Sequence, residues 1–176
     1  MCSGFLYSQS PQCDGCPSVP YSNPIFITVH RFCPLEIKYI TRFCNGAFEL
    51  KILQVRRLID SCSGFAPSEI FHTAIASLLL DNPMNFPPGY WNILNAPCWK
   101  FDLIEPKIMI PCNDTHCCIL SVYTRLSNCN KAEVSNFSEQ GFSYCPSGGP
   151  QFIDCNYVCD PFLPKLIEII TKLKTD

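Results

Sequence analysis

The chain has 176 residues, including 14 Cys, 16 Pro and 13 Phe, and only 16% are charged, against about 25% in an average soluble domain. Thirteen basic and fifteen acidic residues give a formal net charge of −2, which leaves no basic stripe of the kind that nucleic acid requires. The longest apolar stretch, Ala74 to Leu80 with Ser77 inside it, is much shorter than the roughly 20 residues that cross a bilayer, so no membrane span is expected.

Residues 1–24 carry Cys2, Cys13 and Cys16 among prolines, with no apolar period. They read as an extended arm pinned by disulfides, ahead of a single domain over residues 25–176. Ile25 to Phe32 is a β-branched and aromatic run, expected as a strand. Leu35 to Cys44 and Ala47 to Val55 largely alternate apolar with polar around Asn45-Gly46. That pattern predicts a hairpin, because a type I′ turn needs positive φ at both central residues.

Pro67-Ser68-Glu69 opens a helix over about 67–80, closed by Asp81-Asn82-Pro83, with one apolar face to lay on the sheet. Met84 to Trp91 is rich in Pro and reads as an ordered loop. A second β region is expected over Trp99–Ile104, Lys107–Cys112, Cys117–Leu126, Phe142–Cys145 and Gln151–Val158, with a turn at Asn113 to His116. Pro164 to Lys174 has helical spacing with lysines in its last turn, and predicts a short amphipathic helix over about 164–174.

The cysteines are Cys2, Cys13, Cys16, Cys33, Cys44, Cys62, Cys98, Cys112, Cys117, Cys118, Cys129, Cys145, Cys155 and Cys159. Their number is even and they are spread along the chain, the pattern of a disulfide framework made in an oxidising compartment. Fourteen cysteines allow on the order of 10⁵ full pairings, so none is assigned. A chain of this length can bury an adequate core without cross-links. The surplus therefore points to selection for durability outside the cell. Met1-Cys2-Ser3-Gly4-Phe5 lacks the basic start and apolar run of a secretory signal, so the chain is read as beginning after one has been removed. The expected fold is mainly β, a β-rich α+β domain: a disulfide-stapled antiparallel sheet or sandwich with the two helices above.

Pro146-Ser147-Gly148-Gly149-Pro150 resembles the nucleophile loop of trypsin-like serine proteases, and His72, Asp102 and Ser147 follow that family's order. The resemblance covers five contiguous residues, with Pro146 at a departing position and His72 inside a predicted helix. The segment is therefore read as a Gly-rich turn beside Cys145, and the protein as a non-enzyme. His30, His72 and His116 sit in no catalytic string. Cys13-Asp14-Gly15-Cys16 is one C-x-x-C knuckle, and Cys112, His116, Cys117, Cys118, Cys155 and Cys159 are further ligand types. A structural zinc site usually takes two matched knuckles, so no metal and no cofactor is assigned. Asn113-Asp114-Thr115 and Asn136-Phe137-Ser138 are glycosylation sequons expected in exposed turns.

Low charge leaves apolar surface uncovered, which favours association. The interface candidates are Pro20, Tyr21, Pro24, Ile25 and Ile27 in the arm and first strand, and Phe86, Tyr90 and Trp91 in the aromatic loop. The expected function is a secreted, non-enzymatic structural or adhesive subunit of an extracellular assembly, a filament building block joined by strand or arm exchange. The alternatives are a soluble secreted domain that binds a glycan or host protein, and a zinc-binding cysteine-rich protein.

Overall fold

The structure, a computed structural model, describes residues 16–31, 33–112, 117–126, 132–141, 145 and 154–159. The expected C-terminal helix, the turn at Asn113, Phe32, Phe142 to Tyr144, Ser147 and the first part of the arm lie outside these residues.

The hairpin forms as the alternation demands. Strand β2 (Leu35–Cys44) pairs antiparallel with β3 (Ala47–Arg57), and Asn45 and Gly46 take positive φ at 50° and 82°. A bulge between Lys38 and Tyr39 resets the register, so that Ile37 faces Val55, Tyr39 faces Ile52 and Phe43 faces Phe48 on one face. Strand β1 (Ile25–Val29) adds to the outer side of β2 with Ile27 opposite Ile37. It stops three residues short of the expected Phe32, and His30 and Arg31 leave the sheet.

Beyond β3 the chain makes a 3₁₀ turn (Asp60–Cys62) and then helix α1 (Pro67–Asp81). Pro67 occupies the first turn, where its missing N–H costs nothing. Glu69 accepts a hydrogen bond from the Ala66 backbone N–H at 2.8 Å, and Asn82 ends the helix in the left-handed region at φ 39°. The expectation of one apolar face understated the burial: Ile70, Phe71, His72, Ala74, Ile75, Ala76, Ser77, Leu78 and Leu79 are all buried. Apart from its two ends, only Thr73 and Leu80 of α1 escape full burial, the pattern of a helix covered on most sides.

Because α1 crosses the sheet, the next strand runs parallel to β3. Strand β4 (Gly89–Asn95) pairs with Ala47 to Lys51 of β3 in the same direction. The fold is the mainly β, disulfide-stapled one expected, as a sheet and not a sandwich; the sheet is mixed, antiparallel in its other pairings and parallel between β3 and β4. A parallel neighbour needs a crossover of a dozen or more residues, which α1 supplies. It also corrects the reading of Gly89 to Trp91 as loop: the prolines end at Pro88, and Trp91 enters the core beside Phe48.

Strands β5 (Cys98–Phe101), β6 (Ile108–Pro111), β7 (Cys118–Leu126), β8 (Ala132–Gly141) and β9 (Asn156–Tyr157) complete a nine-stranded sheet. Of these, β8 was not expected. Its residues are mostly polar, and its place is set by the backbone ladder to β7. Asn136 accordingly lies within a strand and not in a turn. The strand expected over Gln151–Val158 is reduced, within the described residues, to β9.

The sheet forks at β3. One side of β3 is lined along its length by β2; on the other side β4 takes Ala47 to Lys51 and β6 takes Val55 and Arg56. One branch continues as β4-β7-β8 and the other as β6-β5-β9. The core fills the fork under α1, with Trp91, Trp99 and Phe71 fully buried. The Trp99 indole N–H donates to the Ala96 carbonyl at 2.8 Å and its ring lies 4.9 Å from that of Phe71.

Five disulfides join described residues: Cys16–Cys44, Cys33–Cys62, Cys98–Cys145, Cys112–Cys155 and Cys118–Cys159. The last closes the fork, because Cys118 begins β7 on one branch and Cys159 follows β9 on the other. The segment it holds also covers α1, where the His72 Nε2–H donates to the Val158 carbonyl at 2.7 Å. Such cross-linking is typical of extracellular proteins.

Candidate interaction surface

Two parts of the surface combine apolar exposure with firm anchorage. The first begins at the arm. Cys16 is bonded to Cys44 at the end of β2, and the chain from Cys16 to Pro24 lies across the sheet face opposite α1. Hairpin register sets Arg42 opposite Glu49 on that face. The Arg42 Nε donates to Glu49 Oε2 at 2.6 Å, with the two side chains only 2% and 8% exposed. Its Nη1 donates to the carbonyls of Cys16 at 2.8 Å and Val19 at 2.9 Å, and the guanidinium lies 4.1 Å from the centre of the Tyr21 ring. Tyr21 and Ser22 are half-buried, with Ser22 N donating to the Thr41 carbonyl at 2.8 Å. A planar fork with several fixed donors is what lets one side chain hold a carboxylate and two carbonyls at once.

Among the interface candidates, Pro20 and Pro24 are exposed and Tyr21 is thus half-buried against Arg42. The described part of the arm, residues 16–24, is fastened to its own chain. Strand β1 is the outer strand of its branch and, among the described residues, is paired only with β2. Ile25, Ile27 and Val29 share the core face with Tyr39, Ile37 and Leu35, while Phe26 and Thr28 share the other face with Lys38 and Glu36. Ile25 is 40% exposed and Phe26 55%, the latter with the Lys38 ammonium 5.4 Å from its ring centre. Val29 is buried. At its end an open groove of about 420 Å³ runs between Thr28, Val29, His30 and Arg31 and the end of α1 at Asp81 and Pro83, with Arg31 donating to Asp81 at 2.7 Å.

The second part is the turn between β5 and β6. Asp102 Oδ1 accepts from the N–H of Ile104 at 2.7 Å and of Glu105 at 3.3 Å, an Asx turn that fixes the backbone. Leu103 and Ile104 at its tip are 88% and 90% exposed. The Arg57 N–H donates to the Lys107 carbonyl at 2.9 Å and the Lys107 ammonium meets Asp60 at 2.8 Å. These bonds bring the exposed Leu58 and Ile59 to the same end. The hydrogen bond from Lys107 holds the Asp60 carboxyl below its ordinary range.

The aromatic loop divides. Phe86 stacks on Phe48 at 5.1 Å and meets Trp91 edge-on at 5.1 Å, and Trp91 is buried; only Tyr90 is exposed, with its ring 4.9 Å from that of Tyr123. Phe26 belongs to the strand expected at the interface, whereas Leu103 and Ile104 were not among the candidates. Alternation places Phe26 on the opposite face from Ile25 and Ile27, and Leu103-Ile104 read as the end of a strand.

Of the groups weighed for chemistry, His72 is buried against Val158 and Asp102 is engaged by its own turn, so different groups hold them. The sulfurs of Cys16, Cys112, Cys117, Cys118, Cys155 and Cys159 are all in disulfides. No cluster of three metal-ligating side chains occurs among the described residues. The chain was compared with protein-family models, curated proteins and solved structures, and none matches.

Proposed function

We propose that this protein is a secreted, non-enzymatic structural or adhesive subunit that acts by associating with copies of itself. The observation that carries the reading is β1, a sheet edge whose five residues, Ile-Phe-Ile-Thr-Val, include no charge and no proline. Proteins blunt free edges with charges, prolines or bulges, because unpaired N–H and C=O groups recruit other strands. An edge left unblunted on a domain with five disulfides among its described residues is suited to receive a partner. The exposed tip at Leu103 and Ile104 supports the same reading with a second contact.

Sedimentation velocity of the oxidised protein over a concentration series from low to high micromolar tests it. Particles that grow with concentration are the expected result. A monomer throughout overturns the reading and favours the soluble ligand-binding domain.

A further inference from the structure

Resting on the reading above as a self-associating subunit, we infer that two copies pair through their β1 edges about a two-fold axis through Ile27, joining their nine-stranded sheets into one. The strand is self-complementary in that register. Run antiparallel against itself about Ile27, β1 sets Ile27 opposite the partner's Ile27, Ile25 opposite the partner's Val29, and Phe26 opposite the partner's Thr28. Directly opposed residues in an antiparallel pair share a face. Rows across the joined sheet then follow from the pairing of β1 with β2. On the helix side they read Tyr39, Ile25, Val29, Leu35 and Ile37, Ile27, Ile27, Ile37, apolar throughout. On the other side the row is Lys38, Phe26, Thr28, Glu36, with opposite charges at its ends and no like charges meeting.

The same rotation matches a knob to a hole. Ile25 is 40% exposed on the helix side of β1, and the groove beside Val29 opens on that side toward Arg31, Asp81 and Pro83. Because Ile25 falls opposite the partner's Val29, each copy delivers its uncovered isoleucine to the other's groove. The outward-pointing backbone groups alternate along β1, and the two-fold maps odd residues onto odd and even onto even. The ladder therefore closes whichever set faces out. Identical patches meeting in this way form an isologous, closed contact.

Phe26 and Thr28 provide the test, since both are exposed and directly opposed across the axis. In Phe26→Lys/Thr28→Lys the two interface rows on the face away from the helix set lysine against lysine; in Phe26→Lys/Thr28→Glu the same two rows set lysine against glutamate. Sedimentation velocity on the oxidised full chain should show the wild type as a dimer, the Lys/Lys form as a monomer across the same range, and the Lys/Glu form as a dimer again. An equimolar mixture of the Lys/Lys form with Phe26→Glu/Thr28→Glu should give a 1:1 heterodimer. Hydrogen exchange of the wild type should slow at the β1 amides as concentration rises, a readout that needs no variant.

If the Lys/Lys form associates as the wild type does, the two-fold is refuted while self-association stands. If the wild type remains a monomer, both fall. Loss of dimer in both the Lys/Lys and the Lys/Glu forms, each with native circular dichroism and no concentration-dependent protection in the wild type, refutes the register.

Discussion

Replacing Arg42 by alanine should detach the arm and destabilise the whole domain. The guanidinium balances the Glu49 carboxylate at 2.6 Å and supplies the Cys16 and Val19 carbonyls at 2.8 and 2.9 Å. Breaking a buried ion pair by removing one partner costs about 3–5 kcal/mol, because the other charge is left uncompensated. Glu49 remains 8% exposed at its side chain, so little water reaches it. The two carbonyls regain some hydration as the arm loosens, which holds the total near ~4 kcal/mol. For a chain of this size that is a fall of about 8–16 °C in Tm. Urea unfolding under non-reducing conditions, with Cys16–Cys44 intact, is the assay. The amides of Val19 and Ser22, bonded to the Cys16 and Thr41 carbonyls, should lose exchange protection first. Arg42→Lys should recover little, since an ammonium cannot present the three donors in one plane. In Arg42→Ala/Glu49→Ala the stranded charge is gone, and about 2 kcal/mol should return. A loss under about 1 kcal/mol for Arg42→Ala, or a double variant equal to the sum of the singles, would refute the account.

Three further outcomes are expected. Cys118→Ser/Cys159→Ser opens the fork; with Cys112–Cys155 intact the bridge closes a loop of only about 12 residues through that disulfide, which puts the loss at about 3 kcal/mol, read from the denaturation midpoint. Leu103→Ser/Ile104→Ser removes the exposed tip and should leave unfolding free energy within about 0.5 kcal/mol of the wild type, while retention on a hydrophobic column falls. Burial raises the Tyr39 phenol above its ordinary value of 10.0, so the unfolded state ionises first as pH rises. Stability is full below that value and declines above it. Tyr39→Phe should flatten this alkaline decline in short unfolding measurements at pH 9 to 11.

The hairpin was legible because two independent signals, alternation and Asn45-Gly46, agree on one structure. Helix α1 was legible from Pro67 and the spacing of its apolar residues. The Arg42–Glu49 pair was within reach too: counting outward from the turn, Cys44 meets Ala47, Phe43 meets Phe48 and Arg42 meets Glu49. What sequence withheld was that the arm covers this face, since nothing local to Pro17 or Val19 states where a non-repetitive segment lies. Strand β4 was masked by Pro87-Pro88, and its parallel partner is a long-range choice decided by the crossover. Strand β8 carries Glu133, Ser135, Ser138 and Glu139, a composition that resembles loop; hydrogen bonding to β7 decides it. Disulfide pairing follows from which strands become neighbours, which is a property of the finished sheet.

The forked sheet has a consequence for connectivity. An ordinary open sheet ends in two edge strands, so a chain that joins by its edges can be linked on both sides and run on without limit. Here the branches end in β1, β8 and β9, and these ends are not equivalent. The sequence of β8 carries Glu133 and Glu139, and β9 is two residues long between Cys155 and Cys159. Among the described edges only β1 is uncharged and long enough to take another strand. In polymer terms the proposed pairing gives the subunit an edge valence of one among its described edges, so that pairing would terminate at two copies, and a longer filament would need a different contact, such as the Leu103–Ile104 tip.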